Sequence, residues 1–155
     1  SFVHPLDLLN KTTAQNPLGG IPVGMTPAIV DYFKSHGVRV MLSIGGITYT
    51  KAWNDALAKN ATQLGKNAAL VAKTLGVGIE IDYEENRSPN LAGLEQFIRA
   101  YRGDSLPYDP SGVTHAARLT IDLAAGDRWL IDITRKATAA SAPPCCMAAC
   151  RRSSR

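Results

Sequence analysis

The stretch "GVGIEIDYEEN", residues 76 to 86, decides how this chain is read. Glu80, Asp82 and Glu84 alternate with Val77, Ile79, Ile81 and Tyr83. A period of two is the mark of a strand, so the three acids share one face and the apolar residues the other. Acids two positions apart on a strand stand roughly 6 to 7 Å from each other. Crowding of that kind raises the pKa of at least one of them. A protonated carboxylic acid beside an ionised one is what general acid catalysis at a glycosidic oxygen requires. Two blander readings stay open at this point. The acids are the solvated face of an antiparallel sheet, or they are ligands for a hard cation such as calcium or magnesium.

The flanking elements argue against the antiparallel case. "TPAIVDYFKSHG" reads as a helix, with Thr26 as cap, Pro27 in the first turn and Gly37 at the end. "VRVMLSI", residues 38 to 44, reads as a buried strand that runs directly into Gly45 and Gly46. Lys51 to Leu75 is helical in pattern, carried by Trp53, Leu57, Leu64, Leu70, Val71 and Leu75, with a division expected at Asn60 to Thr62. A further helix restarts at Ser88-Pro89 and uses Leu91, Leu94, Phe97, Ile98 and Tyr101. After the loop "LPYDPSG", the segment "ARLTIDL" (117 to 123) is a third strand. Strands alternating with helices at these intervals make a parallel sheet in an α/β fold. In such a sheet both faces are normally covered, and acids on a covered face need a purpose. No G-x-G-x-x-G follows a strand, so a dinucleotide site is not indicated.

Composition narrows the class. The chain has 155 residues, 45% hydrophobic and 19% charged, which suits one globular domain. Its formal charge of +4 owes three units to Arg151, Arg152 and Arg155. Without a basic stripe and interleaved aromatics, nucleic-acid binding is not expected. No apolar run approaches the roughly 20 residues that span a bilayer. The chain opens on Ser1 with nothing like a signal peptide, which reads as a processed product or a fragment. The three cysteines, Cys145, Cys146 and Cys150, form no disulfide framework and lack a nearby His and a fourth ligand, so no metal is expected there. Residues 137 to 155 hold no Leu, Ile, Val or aromatic side chain. They are expected to be a disordered or non-native tail behind a domain at 1 to 136.

The motifs themselves are more specific. "GIEIDYEE" resembles the D-x-x-D-x-D-x-E signature of glycoside hydrolase family 18, the chitinases and endo-β-N-acetylglucosaminidases. "SIGG", Ser43 to Gly46, resembles that family's S-x-G-G motif, and the two stand in the family's order on successive strands. The resemblance spans about residues 1 to 130. It implies a partial (β/α)8 TIM barrel comprising about strands 2 to 5, with "SFVHP" as the end of strand 2. A whole barrel of this kind takes about 250 residues. Glu84 matches the catalytic acid, and Asp82 the aspartate that polarises the substrate's acetamido group. Glu80 stands where the family has aspartate, and Val77 where the signature's first aspartate falls. Tyr83 matches an aromatic residue between the two key acids.

The resemblance further implies retaining hydrolysis of β-1,4 links next to N-acetylglucosamine, with the acetamido group as nucleophile and no metal or cofactor. Ser43, Gly45, Gly46, Tyr49, Trp53 and Asp122 are candidate substrate-binding residues beside Tyr83, with Asp127 a weaker candidate. The expected partner is a glycan containing N-acetylglucosamine, and the expected location is extracellular. A part-barrel with open strand edges is also expected to self-associate. Alternatives are a sugar-binding protein without turnover and an inactive truncated chain.

Overall fold

The computed structural model describes residues 2–24, 27–85, 87–104 and 118–122. Among them the order is α1 (Pro5–Lys11), α2 (Pro27–Ser35), β1 (Met41–Gly45), α3 (Thr50–Leu75), β2 (Gly78–Asp82), α4 (Leu91–Asp104) and β3 (Leu119–Asp122). A short 3-10 turn, Ile47–Tyr49, links β1 to α3. Thr26, Asn86, His115, Asp127, the loop before β3 and the segment from 123 onward, including the tail and its cysteines, lie outside the described residues.

The three strands form one parallel sheet in the order β1-β2-β3. Val3 extends it on the far side of β1, pairing in parallel with Ile44. Its N–H donates to Ser43 O, and its carbonyl accepts from Gly45 N, each at 3.0 Å. The strands are shorter at their starts than the sequence suggests: Val38 is 47% exposed, and only from Met41 does β1 run regularly beside β2.

Alternation sorts the sheet into two unlike faces. Leu42, Ile44, Ile79, Ile81 and Tyr83 are buried to 1% exposure or less and join Trp53, Leu57, Leu64, Leu94, Phe97, Ile98 and Tyr101 in one core. α3 and α4 pack against each other and supply the helical side of that core. Gly65 permits their close approach, since a Cβ there would stand 2.4 Å from Phe97 O. α1 packs on α3 through Leu8 and Leu9.

Helix ends follow local chemistry. α2 closes in a Schellman turn: Gly37 has φ +73°, its N–H donates to Lys34 O, and Val38 N donates to Phe33 O. Gly76, at φ +63°, ends α3 in the same left-handed conformation. The break expected near Asn60 is present. Asn60 leaves helical geometry (φ −166°, ψ 80°), and its Oδ1 accepts from Gln63 N at 2.9 Å, capping the second half of α3. α4 begins at Leu91 rather than Ser88, because Asn90 is the cap, with Oδ1 accepting from Gly93 N at 2.9 Å. No helix among the described residues is long and apolar enough to cross a membrane.

Candidate active site

The polar face of the sheet is built by register. Ser43, Glu80 and Thr120 stand abreast in one row, and Gly45, Asp82 and Asp122 in the next. Parallel partners point the same way, so the three strands bring Ser43, Glu80, Asp82, Thr120 and Asp122 to one surface. Glu84 follows two residues beyond β2 at the strands' C-terminal ends. That end is where catalytic groups gather in parallel α/β proteins.

Asp82 is the centre of the group. Only 8% exposed, it has its pKa pushed up to about 6, first by burial and then by the negative charge of Glu84. Asp122 adds to the effect, as do a hydrogen bond shared with Glu84 and the charge of Glu80. Burial and the neighbouring charges thus favour a proton on Asp82, with the Glu84 carboxyl two residues further along the chain. Asp82 Oδ1 and Ser43 Oγ are buried without a hydrogen-bond partner among the described residues. Buried polar atoms are nearly always bonded, so both have capacity for a further partner.

Two glycines make room for the couple. Gly45 has φ +112°, and a Cβ there would lie 2.2 Å from both Asp82 O and Trp53 Nε1. The absent side chain lets the Trp53 indole donate to Ile44 O (3.1 Å) and Asp82 O (3.0 Å), tying β1 to β2 at the level of the acid. Gly46 has φ +111°, and its N–H donates to Asp82 O at 3.0 Å. The Ser-x-Gly-Gly sequence thus serves the carboxylate strand next to it.

Trp53 and Tyr83 do not belong to the polar face. Both are fully buried on the helical side, their rings 5.7 Å apart, and neither is placed to stack on a sugar. Parity along β2 dictates this for Tyr83, and helical spacing with Leu57 and Leu64 dictates it for Trp53. Tyr83 instead positions the acid that follows it. Its hydroxyl donates to Asn54 Oδ1 and accepts from Asn90 N at 2.8 Å. Burial raises its pKa, keeping it a neutral phenol.

Glu85 completes the brace. Its Oε1 accepts from Arg87 N (2.7 Å) and Ser88 N (3.2 Å), its Oε2 from Asn54 Nδ2 (3.3 Å). The Arg87 N–H above all holds that carboxyl below its usual range. Glu84 is therefore held from both sides, by Tyr83 and Glu85, through Asn54 of α3. Sequence reasoning passed over Asn54 and Glu85, although the Glu-x-x-Ser spacing is that of a side chain closing a turn on backbone N–H groups.

Tyr49 is half-buried, edge-on to His4 at 5.0 Å between ring centroids. Asp122 is exposed and abreast of Asp82, as a groove-lining residue would be. Among the described residues no group of three or more His, Cys, Asp or Glu converges to hold a metal ion. The chain matches no family model, no curated protein and no solved structure.

Proposed function

We propose that this chain is a chitinase-like glycoside hydrolase portion, acting on β-1,4 links beside N-acetylglucosamine by a retaining, substrate-assisted route. One observation carries the reading: Asp82, only 8% exposed, stands among Glu84, Asp122 and Glu80 on the polar face, and burial with their charges pushes its pKa up to about 6. Two motifs resembling those of family 18 supply the same residues. The sequential strand order, with Val3 continuing it beyond β1, supports a segment of a (β/α)8 barrel from about strand 2 to strand 5.

In this reading the proton held on Asp82 passes to Glu84, which delivers it to the leaving glycosidic oxygen while the substrate's own acetamido carbonyl attacks the anomeric carbon. Asp82 steadies the cyclic cation that forms, and Glu84, now ionised, activates water for its hydrolysis. Glu80 sits one row back and adds negative charge that favours the proton on Asp82. No step needs a metal or a cofactor.

A second reading is sugar binding without turnover, which uses the same polar face but needs no proton delivery by Glu84. Mass spectrometry of N-acetylglucosamine oligomers incubated with the chain separates the two. Cleavage by the wild type and not by Glu84→Gln supports hydrolysis. Saturable binding with no cleavage by either supports the binder, and neither binding nor cleavage removes both.

A further inference from the structure

Asn54 uses its side-chain amide in two directions. It stands at the start of α3, next to Trp53, whose indole ties the ends of β1 and β2 together. Its Oδ1 accepts from the Tyr83 hydroxyl, and its Nδ2 donates to Glu85 Oε2 at 3.3 Å. The residue between those two partners is Glu84.

Chemistry at each contact fixes which way round the amide lies. The Tyr83 oxygen already accepts from Asn90 N at 2.8 Å, and burial keeps the phenol protonated, so its O–H is directed to an oxygen of Asn54. The Glu85 carboxyl, kept ionised by the Arg87 and Ser88 N–H groups, only accepts, so it faces the Asn54 NH2. Aspartate at this position would keep the shape and lose the donor. Asn90, whose Oδ1 caps α4, closes the far end of the same loop through its N–H to Tyr83. Strand parity turns Tyr83 to the core and Glu84 to the polar face. After burial, the Glu84 charge acts most strongly on Asp82, ahead of those of Asp122 and Glu80.

We propose that Asn54 is a positioning residue, which holds Glu84 toward Asp82 by clamping the residues on either side of it. The part this plays in turnover rests on the glycan reading above, whereas the placement of Glu84 beside Asp82 does not.

Exchanging donor and acceptor tests the clamp. Asn54→Asp sets a carboxylate against the Glu85 carboxylate, and Glu85→Gln turns an NH2 toward another N–H donor. The double variant restores the pairing with the roles exchanged and the net charge unchanged. Carbon NMR titration follows the Asp82 carboxyl in all four chains, beside kcat and KM for N-acetylglucosamine oligomers. Thermal unfolding identifies a single variant that has lost its fold, and the other then serves. In each folded single variant the Asp82 midpoint falls from about 6 toward 3.8, and kcat drops roughly tenfold to a hundredfold with KM changed less. The double variant recovers both. A new charge at position 54 would by itself raise the midpoint, so a fall reports the movement of Glu84. A merely structural role would lower the melting temperature and leave the midpoint at about 6. That result, or a fall that the double variant does not recover, overturns the proposal. A wild type that cleaves nothing overturns the glycan reading alone, and the midpoints then decide the positioning role.

Discussion

At the scale of single residues, Gly45 and Asp82 carry the most information. Gly45 satisfies two demands at once, a backbone conformation at φ +112° and the passage of the Trp53 indole to two carbonyls. Gly45→Ala meets both obstacles. Strained backbone of this kind costs roughly 1–3 kcal/mol, and the contact at the new Cβ adds to it. Urea unfolding is expected to show a loss of at least about 2 kcal/mol, and a variant as stable as wild type would refute the geometry.

For Asp82 the sign is opposite to that of the usual paired carboxylate. Its folded pKa, about 6, lies above the ordinary 3.8, so the folded chain holds the proton more tightly than the unfolded chain does. This group's contribution to stability is most favourable below pH 4, is lost as pH rises from about 4 to about 6, and stays lost above that. The loss is on the order of 3 kcal/mol. Asp82→Asn, which cannot ionise, is expected to flatten that part of the stability profile measured by unfolding across pH 4 to 7. An unchanged profile would place the titrating group elsewhere.

At the scale of elements, the outcome shows where local signals suffice. The acid strand was legible because its alternation is unbroken from Val77 to Glu84, and the break in α3 because Asn60 is a ready cap. α1 was not legible. The opening is rich in Asn, Thr, Gly and Pro and offers no helical period, yet Pro5–Lys11 is a helix, too short to establish one. What holds it comes from far along the chain: Asn67 Nδ2 donates to Leu8 O (2.9 Å), Leu9 O (3.2 Å) and Thr12 O (3.2 Å). A side chain in α3 thus closes the C-terminus of α1, and no window of sequence contains both. Asn67→Leu leaves those buried carbonyls without their partner and is expected to cost about 2–3 kcal/mol, with the earliest loss of amide protection in residues 5 to 12. Uniform loss of protection across the chain would contradict a local closing role. The candidate site was legible in its acids and glycines and misread in its aromatics. Tyr83 and Trp53 carry a sugar-stacking residue type, but strand parity and helical period assign them to the core.

At the scale of the whole molecule, the sheet's two faces differ in completeness. The helical side is closed by α3 and α4, whereas on the polar side Ser43 Oγ and Asp82 Oδ1 have no hydrogen-bond partner among the described residues, and β3 is the outermost described strand. Ile29, Tyr32, Phe33 and Val38, on and just after α2, are each more than 40% exposed. Open strand edges and apolar surface favour association. Light scattering is expected to give a dimer or larger species, and a monodisperse monomer would count against the proposed open part-barrel.

The Asp82–Glu84 couple joins these scales, since register builds it, glycines make room for it, and the proposed chemistry runs through it. Its most direct test is a carbon NMR titration of the Asp82 carboxyl in the wild type and in Glu84→Gln. The account predicts a midpoint near 6 in the wild type that moves down when Glu84 loses its charge, burial alone then sustaining what remains of the shift. A midpoint close to 3.8 in the wild type, or one indifferent to the substitution, would contradict it.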